Sequence, residues 1–186
     1  MKTSDAGYAV ILKELQQAAA QLDQGQLTYL AEAVSSAGRV FVAGAGRSGL
    51  MMRAFAMRLM HMGIDVYVVG ETVTRSLGKG DLLLIGSGSG ETKSLVPMAE
   101  KAQAIGAVVG ALTLAPESTI GRNADFVVKL PGTPKDQAEH EASTVQPMGS
   151  LFEQILLIVG DAVILSLMEK QELSGKAMYG NHANLE

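Results

Sequence analysis

The 186-residue chain has no cysteine, which removes disulfide cross-links and thiolate chemistry from its repertoire. It also lacks an excess of positive charge. Fifteen Lys and Arg against nineteen Asp and Glu leave a net charge of −4, so nothing attracts nucleic acid in general, and any anion site must be a local pocket. The stretch before residue 39 is too short and too weakly basic to form a DNA-binding segment. The histidines, His61, His140 and His182, are scattered without metal-ligand spacing, and no metal is expected. Met1 to Asp5 lead into a charged stretch without a signal-peptide apolar core, which makes a cytoplasmic location the expectation. An uninterrupted membrane-length run is missing as well. Leu151 to Met168 is mostly apolar, but Glu153, Gln154 and Asp161 break it, which reads as a core or interface helix and not a membrane span.

What is present is globular. Apolar residues make up 47% of the chain and charged ones 18%, enough for one α/β domain with a substantial core. Residues 5–37 show helical spacing, with Gly25 as the expected divider between two helices. Strands are expected at 39–44, 64–69, 82–85, 107–114 and 126–130. Helices are expected at 47–62 and at 91–105, where Pro97 kinks the helix or marks a late start. Residues 116–123 give a short helix or turn, and 131–146 a polar loop. Pro147 suits the first position of the last long helix, in which Asp161 reads as buried and paired. Strands alternating with helices predict a parallel sheet with helices on both faces, a three-layer α-β-α sandwich.

Two turns of like make follow strands. Gly44-Ala45-Gly46-Arg47-Ser48-Gly49 ends the first, and Gly86-Ser87-Gly88-Ser89-Gly90-Glu91-Thr92 ends the third. Glycines let the backbone turn sharply and bring amides close to a ligand, and a following helix start adds its positive dipole end. Ser87, Ser89 and Thr92, with the amides around Gly88 and Gly90, form a phosphate cradle without a metal. Arg47 and Ser48 are placed to meet the phosphate or sugar hydroxyls. Serine and threonine also cap helices, but one cap does not call for three hydroxyls and three glycines. In such sheets ligands bind beyond the carboxyl ends of the strands, so both turns belong to one site.

The first turn also fits the G-x-G-x-x-G dinucleotide fingerprint, with Glu71 as the acidic residue after the next strand. Three features weigh against a nicotinamide enzyme. The chain leaves little room for a substrate domain, the second turn is rich in hydroxyls, and Glu71 lies beyond Gly70. Glu71 is otherwise a candidate for sugar hydroxyls or an exposed loop acid. His61, among Met57, Met60 and Met62, is a structural or a site residue, and the methionines fill a core or interface.

Five blocks in order carry a resemblance over nearly the whole chain: Ala43 to Leu50, Arg58 to Gly63, Ile85 to Ser94, Gln146 to Gln154, and His182 to Glu186. They resemble the sugar isomerase (SIS) domain family and, within it, the 6-phospho-3-hexuloisomerase branch. The resemblance implies a single SIS domain over 1–186, with N-terminal helices and a C-terminal helix plus tail, and a five-stranded parallel sheet of flavodoxin-like winding. It implies a sugar phosphate substrate, no cofactor, and assembly as a homodimer or homotetramer. It further implies functional coupling to 3-hexulose-6-phosphate synthase in the ribulose monophosphate pathway of formaldehyde fixation.

The implied reaction interconverts D-arabino-hex-3-ulose 6-phosphate and D-fructose 6-phosphate through a 2,3-enediol. Glu153, early in the apolar last helix, is then the base. His182 takes an acid–base or polarising role, within its own subunit or a neighbour's. The alternatives are a noncatalytic phosphosugar-sensing module and an SIS isomerase of another sugar phosphate.

Overall fold

A computed structural model describes residues 6–135 and 144–185, which leaves His140 outside the described part. Five strands, β1 (Val40–Gly44), β2 (Val66–Val68), β3 (Leu82–Gly86), β4 (Val108–Thr113) and β5 (Phe126–Lys129), form one parallel sheet in the order β2-β1-β3-β4-β5. The helices are α1 (Gly7–Ala19), α2 (Gln24–Ser36), α3 (Gly46–His61), α4 (Val96–Ile105), α5 (Thr119–Arg122), α6 (Ser150–Lys170) and α7 (Gly175–Tyr179). This is the expected doubly wound α-β-α arrangement.

The central strands β1 and β3 are apolar throughout because both faces of the sheet are covered. Val40, Val42, Leu82, Leu84 and Leu112 pack under α2, α3 and α6, together with Leu30, Phe55, Leu59, Ile155 and Val159. The alternate residues Phe41, Ala43, Leu83, Ile85 and Val109 pack against Leu95, Ala99 and Ala102 beside α4 and Ile120 of α5. By length and composition α6 could cross a bilayer, yet Ile155, Val159, Val163 and Leu167 are at most 2% exposed in the core beneath it.

Three local expectations are corrected and one alternative is decided. The α1–α2 break falls at residues 20–23, because the Asp23 carboxylate caps α2 by accepting the Gln26 N–H at 3.1 Å. Gly25 therefore lies inside the first turn of α2. Of the two roles expected of Pro97, the structure takes the late start: helix α4 begins at Val96, since Pro97 in a helix interior would remove a backbone bond and clash with the preceding turn. Pro147 precedes α6 by three residues. Met148, at φ 59°, is left-handed and cannot continue a helix, so α6 starts at Ser150. Asp161 is exposed on the outer face of α6.

In the order β2-β1-β3-β4-β5, connections leave β1 and β3 toward opposite sides, which opens a crevice at their carboxyl ends. Both glycine turns open into that crevice. Gly44 and Gly49 permit the approach of α3 to β1: a Cβ on Gly49 would stand 2.6 Å from the Gly44 carbonyl oxygen.

Candidate active site

A cavity of about 370 Å³ lies in this crevice, lined among others by Gly46, Ser48, Ser87, Gly88, Ser89 and Thr92. Both turns thus line a single cavity, as the sequence placed them on one edge of the sheet. The origin of the anion-binding potential differs from expectation. With α4 starting at Val96, no helix follows the second turn directly, and its dipole is displaced from the cradle. Instead α3 and α6 both begin at the cavity, through Gly46 and Ser48 and through Gly149 and Phe152, and neither has a side-chain cap. Their first-turn amides and positive dipole ends converge there.

The serine-rich turn is internally braced. Ser87 Oγ is buried, accepts the Gly90 N–H at 3.2 Å and lies 3.0 Å from Thr92 Oγ1. The exposed Ser89 Oγ accepts the Glu91 N–H at 3.2 Å. The capping role set against phosphate binding is thus partly real, but Ser89, which only accepts an amide, keeps its own proton for a ligand, and the Ser87–Thr92 bond uses one of that pair's two. Among the described residues no protein acceptor takes the Gly88 or Ser89 N–H. Gly90 sits at φ 63°, and a Cβ there would run into Ser118. The Glu91 carboxylate accepts the Thr119 N–H at 2.7 Å, which ties the turn to the start of α5. That amide, the Thr119 hydroxyl and the nearby Arg122 charge hold Glu91 below the usual carboxylate range, against a smaller opposing effect of burial.

Glu153 is 3% exposed in the first turn of α6. Its two oxygens meet two cations: Oε2 lies 2.9 Å from Arg47 Nη1, and Oε1 lies 3.2 Å from Lys135 Nζ. Arg47 Nη1 also donates to Ser150 Oγ at 3.0 Å. A carboxylate this deeply buried needs such partners to offset its lost hydration. Arg47 itself does not line the cavity. In this structure its guanidinium is paired with Glu153.

Lys135 escaped the sequence reading because it lies in the stretch read simply as a polar loop. A signal was present: Pro131 to Lys135 follow β5 at the carboxyl edge of the sheet, where the same topological rule places ligand contacts. Beyond the undescribed residues, the loop is held from the other side by α1. Glu14 accepts from the Thr144 hydroxyl at 2.5 Å, the Val145 N–H at 2.8 Å and the Gln146 side-chain amide at 2.9 Å. Burial acts to raise its pKa, but these three bonds together outweigh burial and hold it below the usual value.

Three candidates lie away from the cavity. Glu71 is paired with Arg53 on the outer side of α3, and both are substantially exposed. His61 closes α3, whose first residue is at the cavity. Fifteen residues of helix at about 1.5 Å each put it roughly 22 Å away. It is buried, 3.1 Å from Arg58 through Nδ1, and stacked on His182 at a centroid distance of 5.3 Å, with Asn181 donating to its carbonyl at 2.9 Å. Burial first, then the charges of Arg58 and His182, push the His61 imidazole below its ordinary pKa. His182 thus docks the C-terminal segment at the end of α3 remote from its own chain's cradle. Of the methionines, Met52 is in the core and Met57 and Met60 are exposed.

Residues 33–158 match the SIS domain family. The chain is 53% identical to the 3-hexulose-6-phosphate isomerase of Bacillus subtilis (strain 168), over all 186 residues and the full length of both chains. It is 45% identical to that of Mycobacterium gastri over 179 residues, 96% of this chain and 89% of the relative. A crystal structure from Methanococcus jannaschii, interpreted as a 3-hexulose-6-phosphate isomerase, superposes with a TM-score of 0.83 at 32% identity. That match covers 96% of this chain and 98% of the other. With the sheet order, the paired turns and these full-length likenesses in agreement, the chain belongs to the SIS domain family.

Proposed function

We propose that the chain, acting as one SIS domain, interconverts D-arabino-hex-3-ulose 6-phosphate and D-fructose 6-phosphate. The observation that carries this reading is a buried carboxylate, Glu153, next to the cavity-lining Phe152 and 3.2 Å from the ammonium of Lys135, which lines the same cavity as the two glycine turns. The full-length relatives named as 3-hexulose-6-phosphate isomerases support the choice of sugar. The phosphate is held by the Ser87, Ser89 and Thr92 hydroxyls, the Gly88 amide and the α3 start at Ser48. Glu153 removes the C2 proton of the 3-ketose, the 2,3-enediol forms, and the same carboxyl returns the proton to C3. In the resting site Arg47 and Lys135 cover the carboxylate. Their side chains are 47% and 51% exposed, which leaves both within reach of entering substrate.

The protein works in the ribulose monophosphate pathway of formaldehyde fixation, beside 3-hexulose-6-phosphate synthase and in the cytoplasm. It does so as a homo-oligomer, dimer or tetramer. Support comes from the packed pair α3 and α6, which leave Leu50, Met57, Ile158 and Leu165 exposed at 59, 56, 38 and 66%. Apolar faces of this kind mark association surfaces. A catalytic role for His182 is compatible only with the site of a neighbouring copy, given its distance from its own cradle. The decisive experiment couples purified synthase, ribulose 5-phosphate and formaldehyde to this protein and reads fructose 6-phosphate. No product above the synthase-only control refutes the reading, and a 19.5 kDa species alone in light scattering at micromolar concentration refutes the assembly.

A further inference from the structure

Moving a ketone from C3 to C2 takes two proton transfers. One runs between carbons, and Glu153 serves it. The other runs from the hydroxyl on C2 to the oxygen on C3, and it needs a second group that both gives and takes a proton. Among the described residues lining the cavity, Lys135 is the one ionisable side chain. Its ammonium stands 3.2 Å from Glu153 Oε1, beside the carboxylate that handles the carbon-bound proton. Arg47 is equally close to that carboxylate, but a guanidinium does not release its proton in proteins, whereas an ammonium can. The path of Lys135 is built into the fold. Its stem crosses Gly149, where a Cβ would meet Lys135 Cε at 3.0 Å and Cγ at 3.3 Å. Glycine at the cap of α6 thus leaves the channel through which Lys135 reaches in.

We propose that Lys135 is a catalytic residue that relays the oxygen-bound proton, an inference that rests on the isomerase reading above. In the first half-reaction the C2–H bond breaks and its proton passes to Glu153. The electron pair forms the C2=C3 bond, the carbonyl pair moves onto O3, and O3 takes a proton from the Lys135 ammonium. In the second half the neutral Lys135 amine takes the proton from O2. The O2 pair restores a carbonyl at C2, and the C2=C3 pair forms a C3–H bond with the proton held by Glu153. Both side chains return to their starting states, with no oxidant, reductant or metal consumed.

The test uses the full chain in the coupled assay, with Lys135→Met, Lys135→Arg and Lys135→Ala and thermal melts of each. Lys135→Met and Lys135→Arg are expected to lower kcat by about 100-fold or more, with KM changed by no more than about threefold. Added primary alkylamines are expected to restore turnover to Lys135→Ala, a rescue that a packing role would not produce, while the loss in Lys135→Arg excludes charge pairing alone. Wild-type kcat in Lys135→Arg would show that charge alone suffices, and would overturn the relay. A raised KM at unchanged kcat in Lys135→Met would make Lys135 a binding group, and absent amine rescue would likewise refute the proposal. An inactive wild type would refute the isomerase reading and this inference together. An active wild type with unimpaired variants would refute this inference alone.

Discussion

Replacing Gly49 by alanine tests whether the close approach of α3 to β1 holds the site together. The new Cβ would meet the Gly44 carbonyl oxygen at 2.6 Å and the carbonyl carbon at 2.9 Å, both backbone atoms that cannot rotate aside. Ordinary contact begins near 3.4 Å, so α3 must withdraw by about 0.8 Å. Alanine is the better helix former by roughly 0.8–1 kcal/mol, which favours the variant. Overpacking against fixed neighbours costs about 1–3 kcal/mol, and the clash wins. The difference, up to about 2 kcal/mol, lowers Tm by as much as roughly 8 °C in a chain of this size. The same displacement carries Arg47 and Ser48 away from Glu153 and the cradle. A misplacement near 1 Å costs on the order of 100-fold in rate, so kcat is expected to fall by about 10- to 100-fold. Gly175→Ala, at a helix start with nothing within 4 Å, is the control and should melt no lower than wild type. Differential scanning calorimetry and the coupled isomerase assay read the two effects. A Gly49→Ala protein with wild-type Tm and kcat would refute the claim that this contact positions the site.

Glu153→Gln keeps the shape of the side chain but removes the base, and kcat is expected to fall about 100-fold or more with KM broadly retained; near-normal turnover would exclude Glu153 from the chemistry. Ser89→Ala and Thr92→Val each remove a donor to a charged ligand, worth roughly 1.5–3 kcal/mol, or about one to two decades in affinity for inorganic phosphate by calorimetric titration. Lower Tm with unchanged affinity would assign them to turn bracing alone. Glu14 makes the docking of residues 144–146 on α1 pH-dependent. Because its folded pKa lies below the ordinary 4.5, its contribution is fully present above that value and is lost as pH falls through the lower folded value. Melting curves across that range should show an acid-side loss that is smaller in Glu14→Gln, and identical pH profiles would refute the role.

The strands were legible because a parallel sheet buried on both faces leaves short, wholly apolar runs, as at Leu82–Ile85, and the glycines that end them mark the ligand edge. The hydroxyl-rich turn that lines the cavity was legible for a related reason: Ser87 to Thr92 is contiguous, so its glycines and hydroxyls fall within one stretch of sequence. The grouping of Arg47, Lys135 and Glu153 was not, because it joins the start of α3 and the loop after β5 to the start of α6, with Glu153 lying 106 positions after Arg47. No local pattern records which cation faces a buried carboxylate. The histidines show the opposite case, in which residue chemistry suggested a site that topology excludes within one chain. A helix that begins at the carboxyl edge of a parallel sheet must end toward the amino edge, so the Gly46 start of α3 already carries His61 away from the cradle. His182, stacked on it, is carried along. In this fold the end of an element at which a residue sits constrains its access to substrate more strongly than its chemical type. Lys135, five residues past Leu130, satisfies that constraint, and His61 does not.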